Sequence, residues 1–297
     1  MRYIIYIINP ISGTRNKKSL PALIRSKTEQ AGIPFEIYPS VANGDYSFLH
    51  ALIHSRKVTD IIIAGGDGTI SQVIHSLMDF DLNFGIIPCG SGNGLAFTAG
   101  IPKSAAAAID LALRGKAEMT DGFYLNKQFA CMLSGLGFDA KVAHDFAQQR
   151  RRGLATYVRQ VVRNFFSAST YSFEIRAGEK NFKVEAYFIS IANSNQFGNN
   201  FKIAPRASLH DGLLDIVIVT RQNKLSWLIQ TLQQLRGRHQ LQPVGVLDQR
   251  KAVIYFQTES LSIRNLSEAP LHIDGDPAET PSKLDIQICK KCFRLIQ

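Results

Sequence analysis

The stretch Asp60-Ile-Ile-Ile-Ala-Gly-Gly-Asp-Gly-Thr-Ile70 carries the clearest fold signal in the chain. Its three consecutive isoleucines predict a strand buried on both faces, as in a parallel sheet. After the glycines, Val73, Ile74 and Leu77 recur at helical spacing. A glycine-rich turn between a strand and a helix directs backbone N–H groups and the positive end of the helix at one point, which suits a phosphate.

Asp67 is the unusual member of this turn, because a carboxylate repels a bare phosphate. Its presence makes sense if a divalent cation lies between the two, as magnesium does in nucleotide sites. The alternative is a plain turn in which Asp67 caps the following helix.

Composition bounds the classes of protein to which the chain can belong. Its 297 residues are 45% hydrophobic and 20% charged, which is enough for one large domain or two ordinary ones. The net charge of +10 predicts an anionic partner such as a nucleotide, a nucleic acid or an acidic membrane surface. No run approaches the ~20 apolar residues of a membrane-spanning helix. The apolar start is read as a first strand and not a signal peptide, and four scattered cysteines do not make a disulfide framework, so we expect a cytoplasmic protein.

Residues 1–120 alternate predicted strands and helices, which indicates an α/β domain with an open, mostly parallel sheet. Strands are predicted at 3–8, 35–38, 60–64 and 83–87, and Ser19 and Ser104 are predicted helix N-caps. Glycine-bearing turns follow the first, third and fourth strands at 9–13, 65–69 and 88–94. Ligands of such sheets bind beyond the carboxyl ends of the strands, where these turns would meet.

Residues 121–297 have a different character. Short strand-like runs separated by turns predict a mainly β, sandwich-like domain, interrupted by helices from about 154 and at 225–235. We expect the last few residues to return to the first domain, and the active site to lie in the cleft between the two domains.

Several motifs now stand in order along the chain. They are Asn9-Pro10-x-Ser12-Gly13, Gly65-Gly-Asp-Gly-Thr69, Pro88-x-Gly90-Ser91-Gly92-Asn93, Ser134-Gly-Leu-Gly137-Phe-Asp139, Ala204-Pro205 with Asp211-Gly212-Leu-Leu-Asp215, and Asp274-Gly275-Asp276. In this order they resemble the diacylglycerol kinase catalytic family, which covers bacterial soluble lipid kinases and the sphingosine and ceramide kinases, with the NAD kinases as more distant relatives. The resemblance extends over nearly the whole chain.

The resemblance implies a role for individual positions, with ATP and Mg²⁺ as cofactors. The nucleotide-contacting positions that it implies are Asn9, Pro10, Ser12, Gly13, Ser40, Gly65, Gly66, Gly68, Thr69, Gly90, Ser91 and Asn93. Ser208, Asp211 and the carbonyl of Leu213 match a structural magnesium site of the family. Asp274 and Asp276 match the acidic pair that bears the catalytic base, and Asp67 would hold the cation at the nucleotide.

Two departures from the family pattern leave questions open. Gly94 follows Asn93 where the family often has an Asp, although this glycine form is similar to that of the sphingosine and ceramide kinases. The last motif is Asp-Gly-Asp where the family usually has Asp-Gly-Glu, so the base is open between Asp274 and Asp276. We expect Asp276 to lie nearer the metal and Asp67, with Asp274 placed to take the acceptor proton. For the last motif taken alone, a simple hairpin turn is the alternative.

The function that the resemblance implies is transfer of the γ-phosphoryl group of ATP to a lipid hydroxyl, with a diacylglycerol-like or sphingoid-like acceptor. Such chemistry needs a phosphate cradle, a divalent cation and a carboxylate near the acceptor oxygen. The alternatives are a kinase of a soluble nucleotide such as NAD, and a nucleotide- or lipid-binding protein without turnover, which the missing acid at Gly94 keeps open.

The basic stretch Arg150-Arg151-Arg152, with Arg159 and Arg163 on the following helix, predicts contact with anionic lipid headgroups at a membrane surface. A solvated helix face is the alternative. Nucleic acid is not an expected partner, because no nucleic-acid module is present and no aromatic residue is interleaved with the basic ones. The expected location is cytoplasmic and peripheral at the inner membrane surface, and a homodimer is left open.

Overall fold

The first part of the computed structural model alternates strands and helices. The model describes residues 2–13, 17–149, 154–198 and 201–297. The elements of this part are β1 (Ile4–Ile8), α1 (Leu20–Gln30), β2 (Phe35–Pro39), α2 (His50–Arg56), β3 (Asp60–Gly65), α3 (Asp67–Leu77), β4 (Asn83–Pro88), α4 (Gly94–Thr98) and α5 (Ala105–Arg114). The strands pair in parallel in the order β4-β3-β1-β2. The predicted N-terminal α/β domain with a parallel sheet is therefore confirmed.

The isoleucines of β3 explain why this sheet forms. Ile61, Ile62 and Ile63 are fully buried, because helices cover both faces of a parallel sheet. In the registers of the sheet Ala64 lies beside Ile8 and Gly65 lies beside Pro88, so the three strands end at the same edge. The three glycine-bearing turns start from that edge.

Ser19 and Ser104 occupy the predicted N-cap positions of α1 and α5. Neither Ser19 before α1 nor Ser104 before α5 makes a side-chain capping bond. Ser19 has helical φ and ψ, whereas a capping residue adopts extended backbone. Pro21, in the first turn of α1, also has no N–H group for a cap to satisfy.

The second part of the chain is mainly antiparallel sheet. Its elements are β5 (Ala117–Leu125), β6 (Gln128–Ala130), β7 (Leu133–Gly137), α6 (Phe138–Ala147), α7 (Leu154–Ser167), β8 (Tyr171–Ala177), β9 (Lys180–Ala192), β10 (Leu214–Thr220), α8 (Lys224–Leu235), β11 (Val253–Thr258), β12 (Ser260–Asn265), β13 (Leu271–Ile273), β14 (Asp276–Ala278) and β15 (Lys283–Ile296). The predicted β-rich C-terminal domain is confirmed. The short elements α4, α6, β13 and β14 were not predicted from the sequence.

Strand β15 joins the two parts of the chain. Both of its halves pair antiparallel with β5, and its first half also pairs with β12, whereas Arg294 and Leu295 also pair in parallel with the start of β4. The register shifts between Cys289 and Phe293, where Lys291 has a φ of 49°. The hydrogen-bonded sheet therefore runs from one part into the other. The predicted boundary between residues 120 and 121 falls inside β5 and stays a prediction.

Candidate active site

A pocket of about 500 Å³ is lined by residues of both parts of the chain. The residues predicted for the site that line it are Asn9, Pro10, Ser12, Gly13, Ser40, Gly66, Asp67, Gly68, Thr69, Gly90, Ser91, Asp274 and Asp276. Gly65 lies beneath the pocket as the last residue of β3, and Asn93 is buried. Ser208, Asp211 and Leu213 do not line it.

The first turn is held in place by Asn9 and Lys17. The Asn9 side chain donates to Thr69 Oγ1 at 2.8 Å and accepts from the backbone N–H of Ile11 at 3.0 Å. Lys17 Nζ donates to the Asn9 carbonyl oxygen at 2.7 Å and to Ser12 Oγ at 2.6 Å. Burial lowers the pKa of Lys17. The turn after β1 is thereby fastened to the turn after β3.

The second and third turns approach each other so closely that only glycine fits between them. A Cβ at Gly90 would lie 2.5 Å from the Cα of Gly66, and a Cβ at Gly66 would lie 3.2 Å from the Cα of Gly90. Asn93 fixes the third turn, because its side chain accepts from Gly90 N at 2.7 Å and donates to the Gly90 carbonyl oxygen at 2.9 Å. The backbones of the two turns thus form one wall of the pocket.

Asp67 is the first residue of α3, and its carboxylate points toward α4. Its oxygens accept from Gly94 N at 3.1 Å and Leu95 N at 3.2 Å. The residue that precedes α3 is Gly66, and no side chain caps this helix. The plain capping alternative for Asp67 is therefore not what the structure shows. Burial, with the Asp274 carboxylate as a second cause, raises the pKa of Asp67 to about 7.

The surroundings of residue 94 explain why it is a glycine. Its N–H donates to Asp67, and a Cβ there would lie 2.5 Å from the Gln196 carbonyl oxygen and would overlap Met132 Sδ. A larger residue, such as the Asp that the family often has, does not fit this arrangement.

Asp274 is buried and has all its acceptor positions filled. One carboxylate oxygen accepts from Met132 N and Leu133 N, both at 3.0 Å. The other accepts from Cys131 N at 3.1 Å and from the Ser71 hydroxyl. Burial raises the pKa of Asp274 to about 6. Its φ of 49° is in the left-handed region, so the chain is not extended through the Asp-Gly-Asp motif.

Asp276 differs from Asp274 in burial. It begins β14, its side chain is exposed, and it lines the pocket next to Gly68, where a Cβ would overlap its carboxylate. The two carboxylates of the motif therefore differ in burial. The roles assigned to them from the sequence stay predictions.

Two further residues of the pocket had no role in the sequence analysis. His272 Nδ1 accepts from Gly275 N at 3.3 Å, so the proton lies on Nε2, which faces Asp139 Oδ2 at 3.4 Å. Asp139 is 7% exposed, and its Oδ2 atom has no hydrogen-bond partner among the described residues. In the sequence only the motif that ends at Asp139 pointed to this pair. Nothing in the sequence linked it to His272, which lies more than a hundred residues further along the chain.

A second, apolar pocket of about 210 Å³ adjoins the first. The two pockets share Asp139, Phe197 and Phe201. The other residues around the second pocket are Phe138, Val142, Val158, Val161, Phe165, Phe188, Ile203, Trp227, Leu228, Thr231 and Leu235. The first pocket, which contains the aspartates, therefore borders the apolar one at Asp139, Phe197 and Phe201.

The predicted magnesium site at 208–213 lies elsewhere. Asp211 Oδ1 accepts from Leu213 N at 3.1 Å, and Ser208 Oγ accepts from His210 N at 3.3 Å. Within the described ranges no three His, Cys, Asp or Glu side chains are grouped to hold a metal ion. The predicted ligands Ser208, Asp211 and Leu213 would offer one hydroxyl, one carboxylate and one backbone carbonyl. Such a set does not consist of three His, Cys, Asp or Glu side chains, so the magnesium site stays a prediction.

The basic stretch is described only in part. Arg150, Arg151 and Arg152 lie outside the described residues, whereas Arg159 and Arg163 are exposed on α7. None of the helices in the described part of the chain is long and apolar enough to cross a membrane.

Comparison with known proteins adds family membership to this geometry. The family described as "Diacylglycerol kinase catalytic domain" matches residues 3–124, and the "YegS C-terminal NAD kinase beta sandwich-like domain" matches residues 133–296. A diacylglycerol kinase of Bacillus subtilis (strain 168) is 28% identical over 275 residues, which are 91% of this chain and 88% of that protein. The "Probable lipid kinase YegS" of Shigella flexneri is 30% identical over 211 residues, which are 68% of this chain and 70% of that protein.

The fold has relatives among solved structures as well. The crystal structure of a diacylglycerol kinase from Bacillus anthracis str. Sterne matches with a TM-score of 0.72 at 20% identity. The match covers 99% of this chain and 96% of that one, and it shows that the two share a fold. Together with the matched family descriptions, these relatives show that the chain belongs to the diacylglycerol kinase catalytic family and is an enzyme of the kinase class.

Proposed function

We propose that the chain is an ATP-dependent lipid kinase that transfers the γ-phosphoryl group of ATP to the hydroxyl of a diacylglycerol-like or sphingoid-like lipid. The observation that carries the proposal is the junction of the two pockets at Asp139. A glycine-lined polar cavity with Asp67 and Asp276 suits a nucleotide, and the apolar cavity beyond suits an alkyl chain. Relatives named diacylglycerol kinase and probable lipid kinase support this assignment.

The turns around the polar cavity fit the phosphates of ATP. Gly66 and Gly90 bring two backbone turns together, so backbone atoms rather than side chains form that wall, as in backbone nests that bind phosphates. Asp67 fits a site for Mg²⁺ of the kind in which one carboxylate and the substrate phosphates share the ion. When bound, the ion would neutralise the charge that develops on the transferred phosphoryl group. It would also favour the charged form of Asp67, which burial alone disfavours.

Asp276 is better placed than Asp274 to accept the proton of the acceptor hydroxyl. A carboxylate has about four lone-pair sites, and Asp274 uses them on Ser71 and on three backbone N–H groups. It could take a proton only by losing one of these bonds. Asp276 is exposed and lines the pocket beside the first turn of α3. We therefore assign the base to Asp276 and a positioning role to Asp274, which reverses the order expected from the sequence.

Asp139 and His272 are placed to orient the acceptor. The unpartnered Oδ2 atom of Asp139 can accept from a hydroxyl or amine of the lipid headgroup, at the point where the polar cavity becomes apolar. The backbone N–H of Ala140 donates to the other oxygen of this carboxylate, Oδ1, at 2.9 Å, and His272 Nε2 lies 3.4 Å from Oδ2. The headgroup would then lie between Asp139 and the phosphates, with its chain among the aromatic side chains of the second pocket.

Transfer of radiolabelled phosphate from ATP with Mg²⁺ tests the proposal directly. The acceptors are diacylglycerol, monoacylglycerol, phosphatidylglycerol, sphingosine and ceramide in mixed micelles, and NAD in solution. We expect a labelled product with at least one lipid and none with NAD. Asp276→Asn is the control for a contaminating kinase. Label on NAD alone would establish the soluble-nucleotide alternative, and ATP binding without any labelled product would establish the alternative without turnover.

A further inference from the structure

Strand β15 contains two cysteines with two residues between them, in the stretch Cys289-Lys-Lys-Cys292. Cysteines at this spacing occur in redox motifs and in metal sites. Both side chains are free thiols and half-buried. The proposed kinase reaction does not use them, so their position in the fold requires an explanation.

The bulge in β15 brings the two cysteines close together. Residues three apart on a regular strand are about 10 Å apart, which is too far for a disulfide. Cys289 of β15 pairs with Gly122 of β5. The next pair is Phe293 with Thr120, so four steps along β15 correspond to two steps along β5, or about 7 Å. The chain folds back at Lys291, whose φ of 49° is in the left-handed region.

Gly122 leaves room for the sulfur atoms. A Cβ at Gly122 would lie 3.2 Å from Cys292 Sγ and 2.6 Å from the ring of Phe129. The Cys292 sulfur therefore lies over the residue with which Cys289 pairs. A side-chain hydrogen bond joins the two thiols, and burial, with Cys289 as the second cause, raises the pKa of Cys292. The two sulfur atoms are thus neighbours.

Contacts that do not involve sulfur hold the bulge in this shape. The buried Asp121 carboxylate accepts from Lys291 N at 2.6 Å. Lys290 Nζ donates to Glu259 at 2.6 Å on the exposed side. The residues after the bulge pair with β4 of the first part of the chain. The thiols are therefore held together at the bend where the sheet passes from one part to the other, and a bond between them needs little rearrangement.

A metal ion is a poorer occupant of this pair than a disulfide. Structural zinc takes four ligands, and catalytic zinc takes three from the protein. Among the described residues, no third His, Cys, Asp or Glu side chain joins the two cysteines in a group that could hold a metal ion.

We propose that Cys289 and Cys292 form a reversible disulfide when a hydroperoxide oxidises them, and that the disulfide fixes the bend of β15 between the two parts of the chain. In reducing conditions the pair is a dithiol and the bend is held by hydrogen bonds alone. The chemistry does not depend on the proposed kinase function.

The oxidation proceeds in two steps. Cys289 reacts first, because burial disfavours the thiolate of Cys292. Its thiolate attacks the O–O bond, which breaks, so that Cys289 becomes a sulfenic acid and the leaving oxygen takes a proton to give an alcohol, or water from hydrogen peroxide. Cys292 then attacks Cys289 Sγ, the S–S bond forms as the S–O bond breaks, and hydroxide leaves with the thiol proton as water. The two sulfur atoms lose two electrons to the peroxide, and a dithiol reductant returns them.

Peptide mapping of the full chain tests the bridge. Reduced wild type is treated with hydrogen peroxide, its remaining thiols are alkylated, and it is digested with trypsin. Cleavage after Lys290 and Lys291 separates residues 284–290 from residues 292–294, so only a disulfide can hold these two peptides together. We expect the linked pair after peroxide and its loss with dithiothreitol. Cys89→Ser should form the same linked pair, whereas Cys289→Ser should not.

Melting curves test whether the bridge fixes the bend. The oxidised wild type should melt about 2–4 °C higher than the reduced wild type, because the bridge restricts the unfolded chain. Amide hydrogens of residues 289–293 should also exchange more slowly in the oxidised form. The matched control is Cys289→Ser/Cys292→Ser, whose melting temperature and exchange should be unchanged by peroxide. The mapping and melting of the wild type remain decisive if this variant does not fold.

Four results would overturn the proposal. The first is a wild type in which peroxide oxidises Cys89 or Cys289 to higher acids without linking Cys289 to Cys292. The second is a link from Cys292 to Cys131 or to another molecule. The third is a zinc ion bound one to one by the reduced wild type and absent from Cys289→Ser/Cys292→Ser. The last is a linked wild type whose melting and exchange equal those of the reduced form, since the bridge would then leave the bend as it was.

Discussion

The turns around the polar pocket and the loop 208–213 both match family motifs, yet they are built in different ways. In the pocket, Asp67 and Asp139 accept hydrogen bonds from backbone N–H groups and also line an open cavity. In the loop, Asp211 and Ser208 accept hydrogen bonds from the loop's own backbone. The same strength of motif resemblance therefore corresponds to a cavity in one region and to a closed turn in the other.

Buried carboxylates explain why the loop keeps its shape. Asp121 accepts from Gly212 N at 2.7 Å and from Lys291 N at 2.6 Å, which ties the loop to the bend of β15. Asp215 accepts from the Tyr255 hydroxyl and from Gln257 Nε2, and burial raises the pKa of Asp215 to about 6. Asp121 and Asp215 thus hold the fold of this region together, whereas Asp67, Asp139 and Asp276 line the pocket. Substitutions in the pocket and in the loop test this difference.

The largest effect is expected from Asp276→Asn. If Asp276 accepts the proton of the acceptor hydroxyl, kcat should fall about 10²–10⁴-fold, the usual contribution of general-base assistance. The melting shift caused by ATP and Mg²⁺ should remain, because an exposed side chain is changed without altering the turns. Steady-state kinetics with the best lipid acceptor, together with melting curves, measure both. Full activity of Asp276→Asn would remove the contrast between the two members of the motif.

The difference between Asp274 and Asp276 also shows what the sequence could and could not predict. The strand, turn and helix at 60–77 were predictable because Ile61 to Ile63 and the later hydrophobic spacing are local signals. Strands β13 and β14, of three residues each, are too short for a periodic pattern. The donors to Asp274 lie about 140 and 200 residues earlier in the sequence, so burial and saturation of this carboxylate depend on tertiary packing.

The same reasoning applies to the rest of the candidate site. The three turns could be placed at one sheet edge, because parallel strands end together. The pairing of Asp139 with His272 could not be predicted, since a motif quoted for its glycines meets a strand from the far end of the chain. The apolar pocket lined by Val158 and Leu228 could not be predicted either, because its two helices come from separate segments of the sequence.

Gly66→Val tests the pocket side at its backbone. The added side chain would press on Gly90 and separate the two turns, so stabilisation by ATP should be lost. At a ligand concentration of 100 times Kd, that stabilisation is about 2.7 kcal/mol. Gly245→Val is the control, because nothing lies within 4 Å of a Cβ there. Melting curves with and without ATP and Mg²⁺ give the result, and an unchanged shift in Gly66→Val would place the nucleotide elsewhere.

Asp274→Asn should act on stability more than on binding. An amide cannot accept from all the donors that the carboxylate satisfies, and each buried donor left without a partner costs about 1–3 kcal/mol. Removal of a buried charge offsets part of this cost, so we expect a net loss of about 2 kcal/mol in the free energy of unfolding. Asp285→Asn, at an exposed pair with Lys283, should leave the free energy of unfolding nearly unchanged. Denaturant titration measures the loss in the free energy of unfolding for both variants. Losses of equal size would contradict the positioning role of Asp274.

The smallest effect is expected on the loop side, from Asp211→Ala. Burial raises the pKa of Asp211, and the nearby Asp121 carboxylate adds to the effect, so a cation at the loop would relieve an unfavourable charge. A site of about millimolar affinity would stabilise the wild type by about 1 kcal/mol in a few millimolar Mg²⁺ relative to chelator. Asp211→Ala should remove most of that difference. Asp248→Ala should keep the difference between Mg²⁺ and chelator. Asp248 is a matched control, because its carboxylate also accepts from the N–H group two residues on, at 3.0 Å. The measurement is made without nucleotide. If the wild type melts at the same temperature in Mg²⁺ and in chelator, Asp211 acts only within the turn, and the loop differs from the pocket in binding no cation.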